Sequence, residues 1–118
     1  MINNRTTGNN GEDLAVEFLQ QSGFKIIERN WHYGKLGEID IIAVDKDVLV
    51  FVEVKARRSL ACGHPLEAIS YKKLEQIKMT GLAYLSQCSQ KYNSYRFDAI
   101  SVILGHQPQI ELVKNIFG

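Results

Sequence analysis

Cysteine is scarce in this sequence. Cys62 and Cys88 stand alone, with no CxxC or Cys/His spacing, so neither a disulfide framework nor a zinc site is indicated and both read as ordinary thiols. Long apolar runs are missing. None approaches the roughly 18 residues that a membrane span needs, and the start, Met1 to Thr6, has no apolar stretch of the kind a secretory signal carries. A cytoplasmic protein with no membrane partner is expected. An excess of one charge sign is missing too: 14 Lys+Arg face 13 Asp+Glu, for a formal net charge of +1. That excludes histone-like, tail-driven nucleic-acid binding and a polybasic membrane anchor, both of which need a large surplus of one sign. It leaves room for a local patch. There is no internal repeat and no low-complexity segment.

What is present describes one domain over residues 1–118, 45% hydrophobic and long enough to bury roughly two-thirds of its unfolded surface. The Asn/Thr/Gly-rich start, Asn3 to Gly11, is the one disorder-prone stretch, and residues 1–8 are expected to be flexible. Asn9 followed three residues later by Glu12 resembles a capping box. Leu14, Ala15, Phe18 and Leu19 then share a face, which predicts a helix over about residues 10–22, stopped at Ser22-Gly23. Phe24 to Trp31 reads as a strand and Tyr33 to Gly37 as the turn after it. Two aliphatic strands follow, Glu38 to Val44 and Val48 to Lys55, forming a hairpin in the middle of a sheet. A polar loop from Ala56 to Pro65 leads to a second helix, about Leu66 to Ser86, with Leu74, Ile77, Gly81, Leu82 and Leu85 on its buried stripe. Tyr95 to Leu104 and Ile110 to Ile116 read as closing strands. The order α-β-β-β-α-β-β predicts a mixed central sheet flanked by helices, of α/β or α+β class.

Acids and a lysine sit inside strands that are otherwise aliphatic. Period-two alternation places Val48, Val50, Val52 and Val54 on one face and Leu49, Phe51, Glu53 and Lys55 on the other. On the partner strand Ile39, Ile41 and Ala43 share a face, opposed to Glu38, Asp40, Ile42 and Val44. Desolvation disfavours mixing charge with core, so the aliphatic rows should coincide. That demands an even-length loop, Lys46-Asp47 or four residues, and puts Asp40 directly opposite Glu53. Two such carboxylates repel by on the order of 1 kcal/mol or more unless a cation lies between them. Hard oxygen ligands select Mg²⁺, Mn²⁺ or Ca²⁺ over zinc, and an adjacent lysine suits phosphoryl chemistry. The competing reading is a salt-bridge network in which nothing reacts. Glu12 flanks the buried stripe near Ala15 and Leu19, able to look toward the sheet, with the capping box as its alternative role.

Gly11-Glu12, Gly37-Glu38-Ile39-Asp40, Glu53-Val54-Lys55 and Arg96-Phe97-Asp98, in that order, resemble the YraN-like family of small uncharacterised bacterial proteins. That family looks like a branch of the restriction-endonuclease-like PD-(D/E)xK superfamily, similar to archaeal Holliday-junction resolvases. The resemblance covers about residues 8–104, and 12 residues separate Asp40 from Glu53. It implies a restriction-endonuclease-like fold and a nuclease-like domain. Asp40 and Glu53 would be Mg²⁺ or Mn²⁺ ligands, with the Val54 carbonyl beside them, Lys55 the catalytic lysine, and Glu12 an auxiliary acid also toward the metal. Ile39 stands where the superfamily has proline, and the second helix lacks the Q-x-x-x-Y motif of RecB-type nucleases.

The small total charge conceals a division. Residues 38–53 hold five acids and one base, whereas residues 55–96 hold eight bases and two acids. An acidic pocket beside a basic rim is what guiding phosphates to a metal would require. Arg57, Arg58, Lys72 and Lys73 are the candidate phosphate contacts, set against an ordinary solvated face. Trp31, His32 and Tyr33 are candidates for base stacking or rim packing. His64 and His106 show no partner spacing, and Arg96 with Asp98 reads as an ion pair or a site component. The expected function is metal-dependent hydrolysis of DNA phosphodiester bonds, on structured or branched DNA, with a homodimer in view. The alternatives are a non-catalytic nucleic-acid-binding module of the same fold and a protein-interaction domain.

Overall fold

The computed structural model describes residues 7–59 and 63–117. Cys62 and residues 1–6 lie outside them. The elements are helix α1 (Thr7–Gln21), strands β1 (Lys25–Tyr33), β2 (Gly37–Asp45) and β3 (Val48–Arg57), helix α2 (Tyr71–Gln87), and strands β4 (Ser94–Ile103) and β5 (Gln109–Val113). This is the expected element order, with one 3-10 turn, Pro65–Ala68, added before α2. The five strands form a single sheet in the order β1-β2-β3-β4-β5. Hairpins make the sequential neighbours antiparallel, and the crossover through α2 makes β3 and β4 parallel. The class is α+β, with one helix packed on each face.

The hairpin register follows from the aliphatic rows. Ile41 lies opposite Val52 and Asp45 opposite Val48, closed by the two residues Lys46-Asp47, with Lys46 in the left-handed region at φ 61°. Ile41, Ala43, Val50 and Val52 pack with Ala15 and Leu19 of α1. Ile42, Leu49 and Phe51 pack with Ile77 and Tyr84 of α2. Ile39 departs from expectation: it joins Ile42 and Phe51 on the α2 face rather than Ile41 and Ala43. The alternation breaks beside Asn30, which sits at φ 53° between the pairs Arg29–Ile41 and Trp31–Ile39, so Trp31 is turned to the α2 side with its partner.

Both helices are corrected in detail. α1 already includes Thr7 and Gly8, so the helix begins sooner than expected and Asn9 is an interior residue, not a cap. Intrinsic propensity of Gly8-Asn9-Asn10-Gly11 is poor, and tertiary packing overrides it: a Cβ on Gly11 would lie 2.5 Å from that of Ala56, so the bare backbone of α1 rests on β3. α2 begins at Tyr71 rather than Leu66, because Ser70 caps it by accepting the Lys73 N–H at 3.1 Å. Leu82 is exposed, and Thr80 and Tyr84 join Ile77 and Gly81 on the buried side. The helix is turned this way because Gly81 lies flush against Phe97, whose ring a Cβ there would meet at 2.6 Å.

Gly11→Ala should therefore cost about 1–3 kcal/mol, the usual penalty for forcing a methyl into a filled contact. Chemical denaturation would register it as a lower midpoint at unchanged slope.

Candidate active site

The ladder between β2 and β3 ends at Ile41 opposite Val52. Beyond it the side chain of Asp40 takes over from the backbone, its Oδ2 accepting the Val54 N–H at 2.8 Å. The Asp40 carboxyl is thereby fixed against Glu53, with which it interacts directly. Glu53 is 4% exposed, and two ammonium groups bracket it: Lys55 Nζ and Lys73 Nζ each stand 3.9 Å from its Oε2. Lys55 reaches it from the same strand face two residues on, Lys73 from the first turn of α2.

A second acidic pair lies alongside. Glu12 is buried; its Oε1 accepts from Arg29 Nη2 at 3.1 Å and its Oε2 from Asn30 Nδ2 at 3.0 Å. The Asn30 amide also donates to Glu38 Oε2 at 2.8 Å and so ties the two glutamates together. Both still act on Asp40 through their charge.

These surroundings oppose ionisation of the central pair. Burial first, and then the charge of Asp40, push Glu53 up to about 8, against the opposing pull of Lys73 and Lys55. Asp40 is raised as well, by desolvation first and by Glu12 and Glu38, although the Val54 N–H favours its charged form. A facing carboxyl pair whose charge is opposed by burial and mutual repulsion fits a hard divalent cation, which needs only one or two carboxylates when water completes its shell. Among the described residues no three His, Cys, Asp or Glu side chains converge as a metal-binding group. The donors brought together are Asp40 and Glu53, while Glu12 is engaged by Arg29 and Asn30.

The remaining candidates are dispersed. Lys72 is exposed on α2. Arg57 ends β3, its carbonyl accepting the Leu104 N–H at 2.7 Å, and Arg58 follows it. Lys73, assigned by sequence to the rim with Lys72, belongs to the pocket. Its spacing from Ile77, Thr80 and Tyr84 was the available signal, since it places Lys73 on the sheet-facing stripe. Arg29 and Asn30 had no such signal. Trp31 packs edge-on to Tyr84 at 5.1 Å, a packing role, and His32 stands 3.7 Å from Glu38. Arg96 and fully buried Asp98 form an ion pair at 2.9 Å, extended by Arg96 to Asp45 at 3.0 Å, away from the pocket. His64 has a partner in Glu111 at 3.2 Å.

Fold and pocket together define a small α+β protein that gathers two acids and two lysines where its central hairpin parts. More particularly, the chain belongs to the uncharacterised protein family UPF0102, whose model matches residues 11–102. Similar proteins of that name occur in Rhodococcus opacus, 43% identical over 99% of this chain and 100% of the relative, and in Caldicellulosiruptor saccharolyticus, 43% identical over 98% and 100%. The Dictyoglomus turgidum protein is 41% identical over 98% and 100%. No helix among the described residues is long and apolar enough to cross a membrane.

Proposed function

We propose that this protein is a metal-dependent nuclease of the restriction-endonuclease-like PD-(D/E)xK kind, hydrolysing phosphodiester bonds of structured or branched DNA in the cytoplasm. The observation that carries the reading is the Asp40–Glu53 carboxyl pair with Lys55 and Lys73 both at Glu53 Oε2. Asp40 and Glu53 would hold Mg²⁺ or Mn²⁺, which when bound supplies an activated water and positive charge at the scissile phosphate. Asp40 is kept in place by the Val54 N–H, and Glu53 is oriented by the two ammonium groups. Lys55, about one-third exposed, reaches from Glu53 toward solvent and stabilises charge developing on the phosphate. Glu12 and Glu38 add negative charge beside Asp40, which would favour a cation there. Arg57, Arg58 and Lys72 would serve as phosphate contacts outside the carboxyl cluster. A homodimer would present two such pockets, as the resemblance to Holliday-junction resolvases requires.

The test is a cleavage panel of duplex, single-stranded and four-way-junction DNA, and RNA, with Mn²⁺ or Mg²⁺, beside a calorimetric titration of each ion. Cleavage of the junction or duplex with ion binding is expected. Absence of ion binding, with and without DNA, overturns the nuclease reading. Salt-sensitive DNA retention without cleavage would favour a binding module, and no retention a protein-interaction domain.

A further inference from the structure

At the other end of the hairpin lies a groove of about 640 Å³ that the catalytic reading does not use. It is formed where the start of β1, the β2–β3 turn and the segment after α2 meet. Counting five residues along β3 from its start, at about 3.3 Å each, it lies roughly 17 Å from Glu53. Its volume falls in the range of small-molecule sites, about 300–1,000 Å³. Val44 and Tyr92, which pack on the α2 side of the sheet, supply an apolar lining with the exposed Ile27, and Lys25, Lys46 and Lys91 stand around them. None of the three lysines has a carboxylate within ion-pair distance among the described residues. The single acid of the lining, Asp47, accepts a hydrogen bond from Asn93 at 3.2 Å. Lys46 also occupies a left-handed position, φ 61°, where asparagine or glycine is the less strained choice.

An apolar and aromatic lining suits a flat heterocycle, and three unpaired ammonium groups suit phosphate. We infer that this groove binds a nucleotide unit, its base against Tyr92 and Val44 and its phosphate among Lys25, Lys46 and Lys91. The unit comes either from a free nucleotide or from a nucleic-acid strand, and the two sources share this chemistry.

The experiment measures binding of dTMP and of a labelled oligothymidylate strand to the full chain and to a Lys25→Glu/Lys46→Glu/Lys91→Glu variant. All three positions are exposed, so the fold should survive; circular dichroism checks this, and the corresponding glutamine variant replaces it if the glutamates disturb the fold. The expected result is at least about a tenfold loss of affinity in the variant. Loss for dTMP assigns the groove to a free nucleotide, and loss for the strand alone assigns it to a strand contact. Unchanged affinity for both probes, or no binding of either by the wild-type chain, overturns the inference. Asp40→Asn should leave groove binding unchanged, so failure of cleavage and failure of the groove are told apart.

Discussion

The Lys55→Ala variant is expected to lose phosphodiester cleavage by about a hundred- to a thousandfold, in kcat rather than KM, while DNA retention changes by about two- to threefold. The larger figure is the usual effect of deleting one donor aimed at charge that develops only in the transition state. The smaller one reflects the loss of a single cation from a rim of several. Lys55 is placed for the first role, because its stem rises from the same strand face as Glu53 and its ammonium stops 3.9 Å from the carboxylate. Lys73 stands at the same distance and remains in the variant, so Glu53 keeps a counter-charge and the pocket its shape. Single-turnover cleavage beside filter retention measures both quantities. Equal activity in the variant would remove Lys55 from the mechanism, and equal losses of kcat and retention would make it a binding residue only.

A metal-free preparation should lose stability as pH rises from about 5 to 9, by on the order of 3 kcal/mol, or about 10 °C in Tm. The sign follows from Glu53, whose folded value of about 8 stands above the ordinary 4.5. Between those two values the folded chain keeps a proton that the unfolded chain has released, so each step up in pH favours unfolding. Below the lower value neither state pays; above the upper one the folded state bears the full cost of a buried charge beside Asp40. Asp40 is shifted in the same direction and adds to the slope. Glu53→Gln should flatten the profile, and a saturating divalent ion should stabilise the wild-type chain most at high pH. Thermal melts across the range decide it: a flat or rising wild-type profile is incompatible with a strained carboxyl pair.

The hairpin was legible because period-two alternation and the cost of burying charge leave a single register, which the pairs from Ile41–Val52 to Asp45–Val48 follow; the ladder stops there, one pair short of Asp40 and Glu53. Ile39 was not, because its side depends on the left-handed turn of Asn30 on a neighbouring strand. The start of α1 was obscured for a related reason: Gly8 to Gly11 are weak helix formers, and only contact with Ala56 shows why a glycine belongs there. On α2 hydropathy misled at Leu82, since the buried side is set by the flat surface at Gly81 and includes Thr80 and Tyr84. Glu12 was seen as facing the sheet, but its partners Arg29 and Asn30 carry no periodic signal. Lys73 could have been found, since it lies four positions before Ile77, one helical turn away.

The hydrogen bond from Val54 to Asp40 gives this protein an internal reporter. One amide proton on the central strand is held by a carboxylate, not by another peptide group, so its magnetic resonance frequency and its exchange with deuterated solvent will follow the state of that carboxylate. Protonation, cation entry or substitution at Asp40 would each shift this one resonance, while the amides of the regular ladder beside it stay still. Occupancy of the pocket can thus be followed on the apoprotein, without a substrate.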